Sequence, residues 1–310
     1  MNEQYTRISV LDPISPAIER VRTILFTPFD LGKWFVIGFC AWLAYLGKGG
    51  GGGGGNGPNF HRGGRPDQAL EQAKHFISDN LMWIIPVAVF VLIFIIVLWL
   101  VLTWLSSRGR FMFLHCVALN KAEVKNPWTK FGKHSNSLFL FRFVLGLIGT
   151  AAIVPCIGAI VLFIVMLSHR GLHIFPAVVG LIAFALLIIA LAIVLFLIKK
   201  FTTEFVVPIM FLRTISCFAA WREFLKLLSS NKGRFVLYIL FQIVIGLCVG
   251  LIVVGLVCVT CCCAGCIMAI PYIGTVLLLP ILIFERSYSL YYLRQFGPQF
   301  DVFQPAVELT

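Results

Sequence analysis

The chain reads as an all-α integral membrane protein, and three observations in its 310 residues carry that reading. It is 60% hydrophobic and only 12% charged, whereas soluble domains carry about 25% charged residues. Residues 81–105 and 174–198 contain no charge, and each exceeds the ~20 residues that cross a roughly 30 Å hydrocarbon layer. The net charge of +12 gathers in alternate connections between such stretches, which orients membrane helices and does not point to nucleic acid. We therefore expect six transmembrane helices, near 31–47, 81–105, 137–167, 174–198, 234–260 and 267–292. They would form three hairpins, each preceded by an amphipathic interfacial segment, in a single polytopic domain over 1–310.

Residues 1–30 are expected to be a cytoplasmic N-terminal segment with an amphipathic helix. In ISPAIERVRTILF, residues 14–26, Ser15 suits an N-cap and Pro16 the first helical position. Ile18, Val21, Ile24 and Leu25 share one face, with Glu19, Arg20 and Arg22 largely on the other. Such a helix lies on the inner leaflet. No short apolar core leads to a small-residue cleavage site, so no cleavable signal is expected.

The first apolar span, 34–46, is short, and Lys33 and Lys48 would snorkel outward from it. LGKGGGGGGGNGPNFHRGGRP follows at 46–66. A phosphate-binding loop needs spaced glycines, then Lys and Ser/Thr, between a strand and a helix. Here Lys48 precedes the glycines and both flanks are membrane helices. Residues 47–66 thus read as an extracytoplasmic Gly-rich linker whose ends, in a flexible coil, lie on the order of 25 Å apart. It leads into an amphipathic stretch at 67–80.

The connection 106–136 carries Arg108, Arg110, Lys121, Lys125, Lys130 and Lys133. The connection 199–233 carries Lys199, Lys200, Arg213, Arg222, Lys226 and Lys232. The opposite connections are poorer in bases. Both termini, including a tail at 293–310, are therefore expected on the cytoplasmic side of a multi-pass protein of the cell (inner) membrane. The stretch 137–167 is long for one straight crossing and contains Pro155. It reads either as a kinked helix or as a span plus a re-entrant piece.

The sequence also repeats itself. Trp128, Phe131 and Lys133 form a Trp-x-x-Phe-x-Lys motif that runs through Ser135-Asn136 into the third span. Trp221, Phe224 and Lys226 form another that runs through Ser230-Asn231 into the fifth. Thr27-Pro28-Phe29-Asp30-Leu31-Gly32-Lys33-Trp34 is a looser copy before the first. These features join ISPAIERVRTILFTPFDLGKWF at 14–35, Phe205-Val206-Val207-Pro208, and Phe284-Glu285-Arg286-Ser287-Tyr288-Ser289-Leu290. Together they resemble a broad family of six-helix prokaryotic membrane proteins of unassigned function. That family is similar to the membrane domain that some glycerophosphoryl diester phosphodiesterases carry beside their catalytic barrel. The resemblance covers most of the chain, but no barrel accompanies it here, so it implies no phosphodiesterase activity.

Candidate chemistry is sparse. Trp128, Lys130, Phe131, Lys133, Trp221, Arg222 and Lys226 combine rings that insert at an interface with bases that meet phosphate, and are the candidate lipid contacts. Cys258, Cys261, Cys262, Cys263 and Cys266 contain two overlapping C-x-x-C spacings. They read as small packing residues beside Gly255 and Gly265, as a disulfide or thiol cluster on the outer side, as a metal site, or as an acylation site. His169 and His173 are four apart, with Gly171 between them weakening any metal pair. Arg142, Glu204 and Glu285 sit near inner span ends, as interfacial ion pairs or as a polar vestibule. Gly246 and Gly250 make a small-xxx-small face that suits packing within the chain better than a dimer.

No cofactor, metal or catalytic constellation is expected. The leading functional expectation is a non-enzymatic membrane protein that engages anionic inner-leaflet lipids, or a membrane partner or second copy, through its cytoplasmic face. A transporter or channel for a lipid-like or small apolar solute is the alternative, since the Pro155 and Pro271 regions suggest broken helices. An enzyme acting on a membrane substrate lacks a recognisable catalytic set.

Overall fold

In hydrocarbon every backbone polar group must find an internal partner, so an apolar run there is helical. The helices seeded by these runs extend far beyond the runs themselves. A computed structural model describes residues 8–46, 81–170, 174–260 and 263–303. The Gly-rich linker and the 67–80 stretch lie outside the described residues, which contain helices and turns but no strand.

The chain opens with α1 (Ile14–Leu25) and α2 (Leu31–Tyr45). Helix α3 (Leu81–Leu119) has 39 residues, about 58 Å at 1.5 Å per residue, nearly twice the ~30 Å hydrocarbon layer. A short α4 (Lys125–Lys130) turns the chain into α5 (Gly132–Arg170), which also has 39 residues. Helix α6 (Ile174–Phe201) passes through a π-helical turn (Thr202–Val206) into α7 (Val207–Arg213). Then come α8 (Cys217–Ser230) and α9 (Lys232–Val259).

Four described helical stretches are long and apolar enough to cross a membrane: Met82–Leu119, Gly132–Leu162, Ile182–Arg213 and Lys232–Val259. Helix α2 is apolar but has only 15 residues. The expected last span, 267–292, is divided into α10 (Cys263–Ala269), α11 (Ile273–Leu277) and α12 (Leu279–Arg294). Its breakers are local: Pro271 and Pro280 donate no backbone hydrogen bond, and Gly274 lies so close to the Met268 carbonyl that a side chain there would overlap it. Pro155, by contrast, lies inside a continuous α5, so the re-entrant alternative falls away.

Two regions result. Along their apolar lengths the long helices are shafts with exposed surfaces, as at Phe90, Leu162, Leu186 and Leu251. At one end they run into a base that contains most of the core, where α2, α4, α7 and α12 pack on the second half of α3 and Arg20 of α1 reaches its last turn. Phe111, Met112, Leu114, Cys116 and Val117 of α3 are fully buried there, which is why this half is enclosed on every side. Aromatic rings fill the remainder. Phe205 stacks on Phe224 at 5.3 Å, and Tyr238 lies 4.5 Å from Tyr292. Each such pair is worth about 0.5–1.5 kcal/mol beyond its burial.

Helix α2 joins the base by close approach. A Cβ on Gly109 of α3 would overlap the Ala44 nitrogen and the Leu43 carbonyl carbon of α2, and one on Gly38 would come 2.6 Å from Val276 Cγ2. Ser106 Oγ donates to the Ala44 carbonyl at 2.9 Å beside the first of these contacts.

Helix α1 differs from expectation in two details. It begins at Ile14, so Ser15 does not cap it; the Ser9 hydroxyl instead accepts from the Leu11 N–H at 3.1 Å. Arg20 is not on a solvent face. It donates to the Val117 and Ala118 carbonyls at 2.8 and 2.6 Å, placing a cation on the last turn of α3, where the helix dipole favours one. Burial pushes the Arg20 guanidinium below its ordinary value, partly offset by Tyr291. The expected tail at 293–310 is in part core: Leu293, Phe300 and Val302 are buried, and Asp301 pairs with Arg294 at 3.1 Å.

Candidate functional site

The continuation of α3 as a helix brings a cation and two indoles together. Trp104 and Arg108 are one helical turn apart on α3, and Trp128 approaches from α4. The Arg108 guanidinium lies 4.5 Å from the Trp104 ring and 4.6 Å from the Trp128 ring, and the indoles meet edge to face at 6.0 Å. Trp104 Nε1 donates to Asn136 Oδ1 at 3.2 Å, which fixes that wall of the clamp. Cation–π contacts of this kind are worth about 0.5–1 kcal/mol at exposed positions and more when desolvated.

Arg108 Nε is buried and has no hydrogen-bond partner. Its Nη2 lies 3.8 Å from where a Cβ on Gly132 would sit, so the guanidinium borders the N-terminus of α5, where backbone N–H groups have no intrahelical acceptor. Lys130 and Lys133 flank this corner and are exposed. The arrangement is a positively charged, aromatic-walled surface corner suited to an anion.

The candidate lipid contacts divide around it. Lys130, Lys133, Arg222 and Lys226 are exposed, and Trp128 and Trp221 are half-buried. Phe131 is a correction. It is 3% exposed, stacked on Phe211 at 4.8 Å and on Phe111 at 5.7 Å, so it cannot insert into lipid. Its position is dictated by rings distant in sequence. Trp221 packs on Phe141 and Phe224, and Arg222 and Lys226 lie apart from the Arg108 corner, on α8. Arg108 and Trp104 were missed as site residues because 106–136 reads as a loop. Only the Trp104–Arg108 spacing, taken as helical, would have revealed them.

A second polar layer lies deeper. Arg110, 8% exposed, donates to Thr203 Oγ1 at 2.6 Å, and Arg286, 7% exposed, donates to the Thr203 carbonyl at 2.6 Å. The π turn accounts for the second bond, because its wider spacing leaves a carbonyl outside the α-helical ladder. Arg142 donates to Ser107 Oγ at 3.0 Å and to Ser106 Oγ at 3.3 Å. Glu204 pairs with Lys200 at 3.0 Å. The arrangement is an internal ion and hydroxyl network across α3, α5, the π turn and α12.

Other expected features lie only partly within the described residues. Cys258 and Cys266 are exposed free thiols. Cys261 and Cys262 lie outside the described residues, and Cys263 opens α10. Of the histidine pair, His169 belongs to α5 and His173 lies outside the described residues. Among the described residues no three His, Cys, Asp or Glu side chains are grouped to hold a metal ion. Gly246 and Gly250 differ from expectation: among the described residues a Cβ on either would meet nothing within 4 Å, so they pack against no described helix.

Compared with known proteins, residues 8–279 match a family model described as a family of unknown function, DUF7544. No curated protein and no solved structure matches the chain.

Proposed function

The chain belongs to the DUF7544 family, and from that premise we propose that it is a non-enzymatic multi-pass protein that engages anionic lipids through its base. In this reading α2 and the divided α10–α12 region complete six crossings, and three amphipathic segments introduce three hairpins. Both termini and the base then face the cytoplasm, because the bases cluster there. The single observation that carries the lipid assignment is Arg108, held between Trp104 and Trp128 at the α5 N-terminus with exposed Lys130 and Lys133 beside it. A lipid phosphate would meet the guanidinium edge and the free N–H groups of the first turn, with the lysines adding about 1 kcal/mol each near an anionic surface. Arg222 and Lys226 extend the basic surface along α8.

A second reading, transport of a lipid-like or small apolar solute, is favoured by the buried Arg110–Thr203–Arg286 network at the π turn, since π turns recur at functional sites. Native mass spectrometry with stepwise delipidation decides between them. The lipid reading expects one anionic lipid class retained at fixed stoichiometry, and lost when Arg108, Lys130 and Lys133 are replaced together by Ala with the fold intact. Retention that ignores those substitutions refutes it. Flux in proteoliposomes that depends on Arg286 would support transport instead.

A further inference from the structure

We propose a second lipid site, for one zwitterionic phospholipid, in the groove between α1, α9 and α12. The groove is open along one side and offers about 450 Å³, within the ~300–1,000 Å³ range of small-ligand sites. Every residue that lines it is apolar or Cys. Phe241, Cys248 and Ile252 of α9 face Ile18 and Val21 of α1 and Phe284 of α12.

Its length and the charges at its mouth select the occupant. From Phe241 to Ile252 the groove follows about 17 Å of helix, close to the ~15 Å depth of one leaflet of hydrocarbon. An apolar wall of that length, open along one side, suits an acyl chain lying along α9.

The head group is read from the adjoining hollow. It shares Ile14 and Ile18 with the groove and is bordered by Ser15, Glu19 and Arg22. Glu19 and Arg22 are three apart on α1 and so neighbours on its surface. They present one negative and one positive group, complementary to an ammonium and a phosphate on the same lipid. A purely anionic head group would meet Glu19 unfavourably. This site is therefore distinct in place and in charge from the Arg108 corner, and does not depend on it.

The test uses the full-length protein, reconstituted in vesicles of equimolar phosphatidylethanolamine and phosphatidylglycerol, extracted in mild detergent and weighed by native mass spectrometry. Wild type is expected to keep one phosphatidylethanolamine per chain. Cys248→Trp fills the groove from an exposed position and should lower that retention by about tenfold, equivalent to roughly 1.4 kcal/mol. Glu19→Arg, on the exposed face of α1, should exchange the retained lipid for phosphatidylglycerol even if the tryptophan variant folds poorly. Lys130→Ala with Lys133→Ala should leave this lipid in place, which separates the site from the anionic one. Unchanged phosphatidylethanolamine retention in Glu19→Arg, or a doubled protein mass with no lipid bound, overturns the assignment.

Discussion

Replacing Gly109 by Ala tests the joint between α2 and α3. In an open helix the change stabilises by about 1 kcal/mol, because Ala has the higher helix propensity. Here the added methyl would overlap the Ala44 nitrogen and the Leu43 carbonyl carbon and come 2.7 Å from Leu43 Cβ. Two of those three atoms are backbone, so no rotamer change relieves the clash and α2 must move away. Overpacking of this kind costs about 1–3 kcal/mol. Moving α2 also lengthens the Ser106–Ala44 hydrogen bond, worth about 1 kcal/mol. Set against the propensity gain, the net loss is about 1–3 kcal/mol, a roughly 5- to 150-fold shift in the unfolding equilibrium. Reversible unfolding in mild detergent, followed by tryptophan fluorescence, reads it directly. Gly109→Ala as stable as wild type, or more stable, would show that α2 does not pack where it is placed.

Gly246→Ala with Gly250→Ala serves as the counterpart: a Cβ at either position meets nothing within 4 Å, so the same unfolding measurement should show no loss. Arg20→Ala removes the cation from the last turn of α3 and should cost about 1.5–3 kcal/mol, the range for hydrogen bonds from a charged group; a change too small to measure would remove that cap from the account. Burial pushes the Cys217 thiol up to about 12, so it stays protonated at pH 8 and should react with maleimide far more slowly than exposed Cys258 or Cys266 in single-cysteine variants. The sign for stability follows: an acid that holds its proton more tightly when folded favours folding below its unfolded pKa of about 8.5. That contribution declines as pH rises from there towards 12, and Cys217→Ser should flatten the decline.

The sequence revealed the shafts and concealed the base, for a physical reason. Charge-free runs such as 81–105 need no partner to be read, because the solvent itself dictates helix. The residues after them depend on distant partners. Ser106-Ser107-Arg108-Gly109-Arg110 looks like a turn, yet it remains helical because its glycine admits α2 and Arg110 finds a hydroxyl on Thr203. Phe131 looked like an interfacial ring until Phe111 and Phe211 closed over it. Helix α1 showed the periodicity of an amphipathic helix, but periodicity alone could not tell a bilayer surface from the α12 face it packs against. The breaks in 267–292 were visible at Pro271, Gly274 and Pro280, and were outweighed by the length of the apolar run.

The N-terminal segment bears on the order in which the molecule can be made. Ser9 N–H donates to Gln295 Oε1 at 2.7 Å and Gln295 Nε2 donates back to the Ser9 carbonyl at 2.9 Å, while Tyr288 reaches the Val10 carbonyl at 2.9 Å. Residues 9 and 10 therefore wait until residues 288 and 295 have been made before these partners exist. Contacts of such long sequence separation form late, after their closure entropy has been overcome. Until then α1 keeps its apolar stripe, Ala17, Ile24 and Leu25 included, without its native cover. A nascent chain halted before residue 279 should leave α1 open to protease or lying on the bilayer, and release of the halt should bury it.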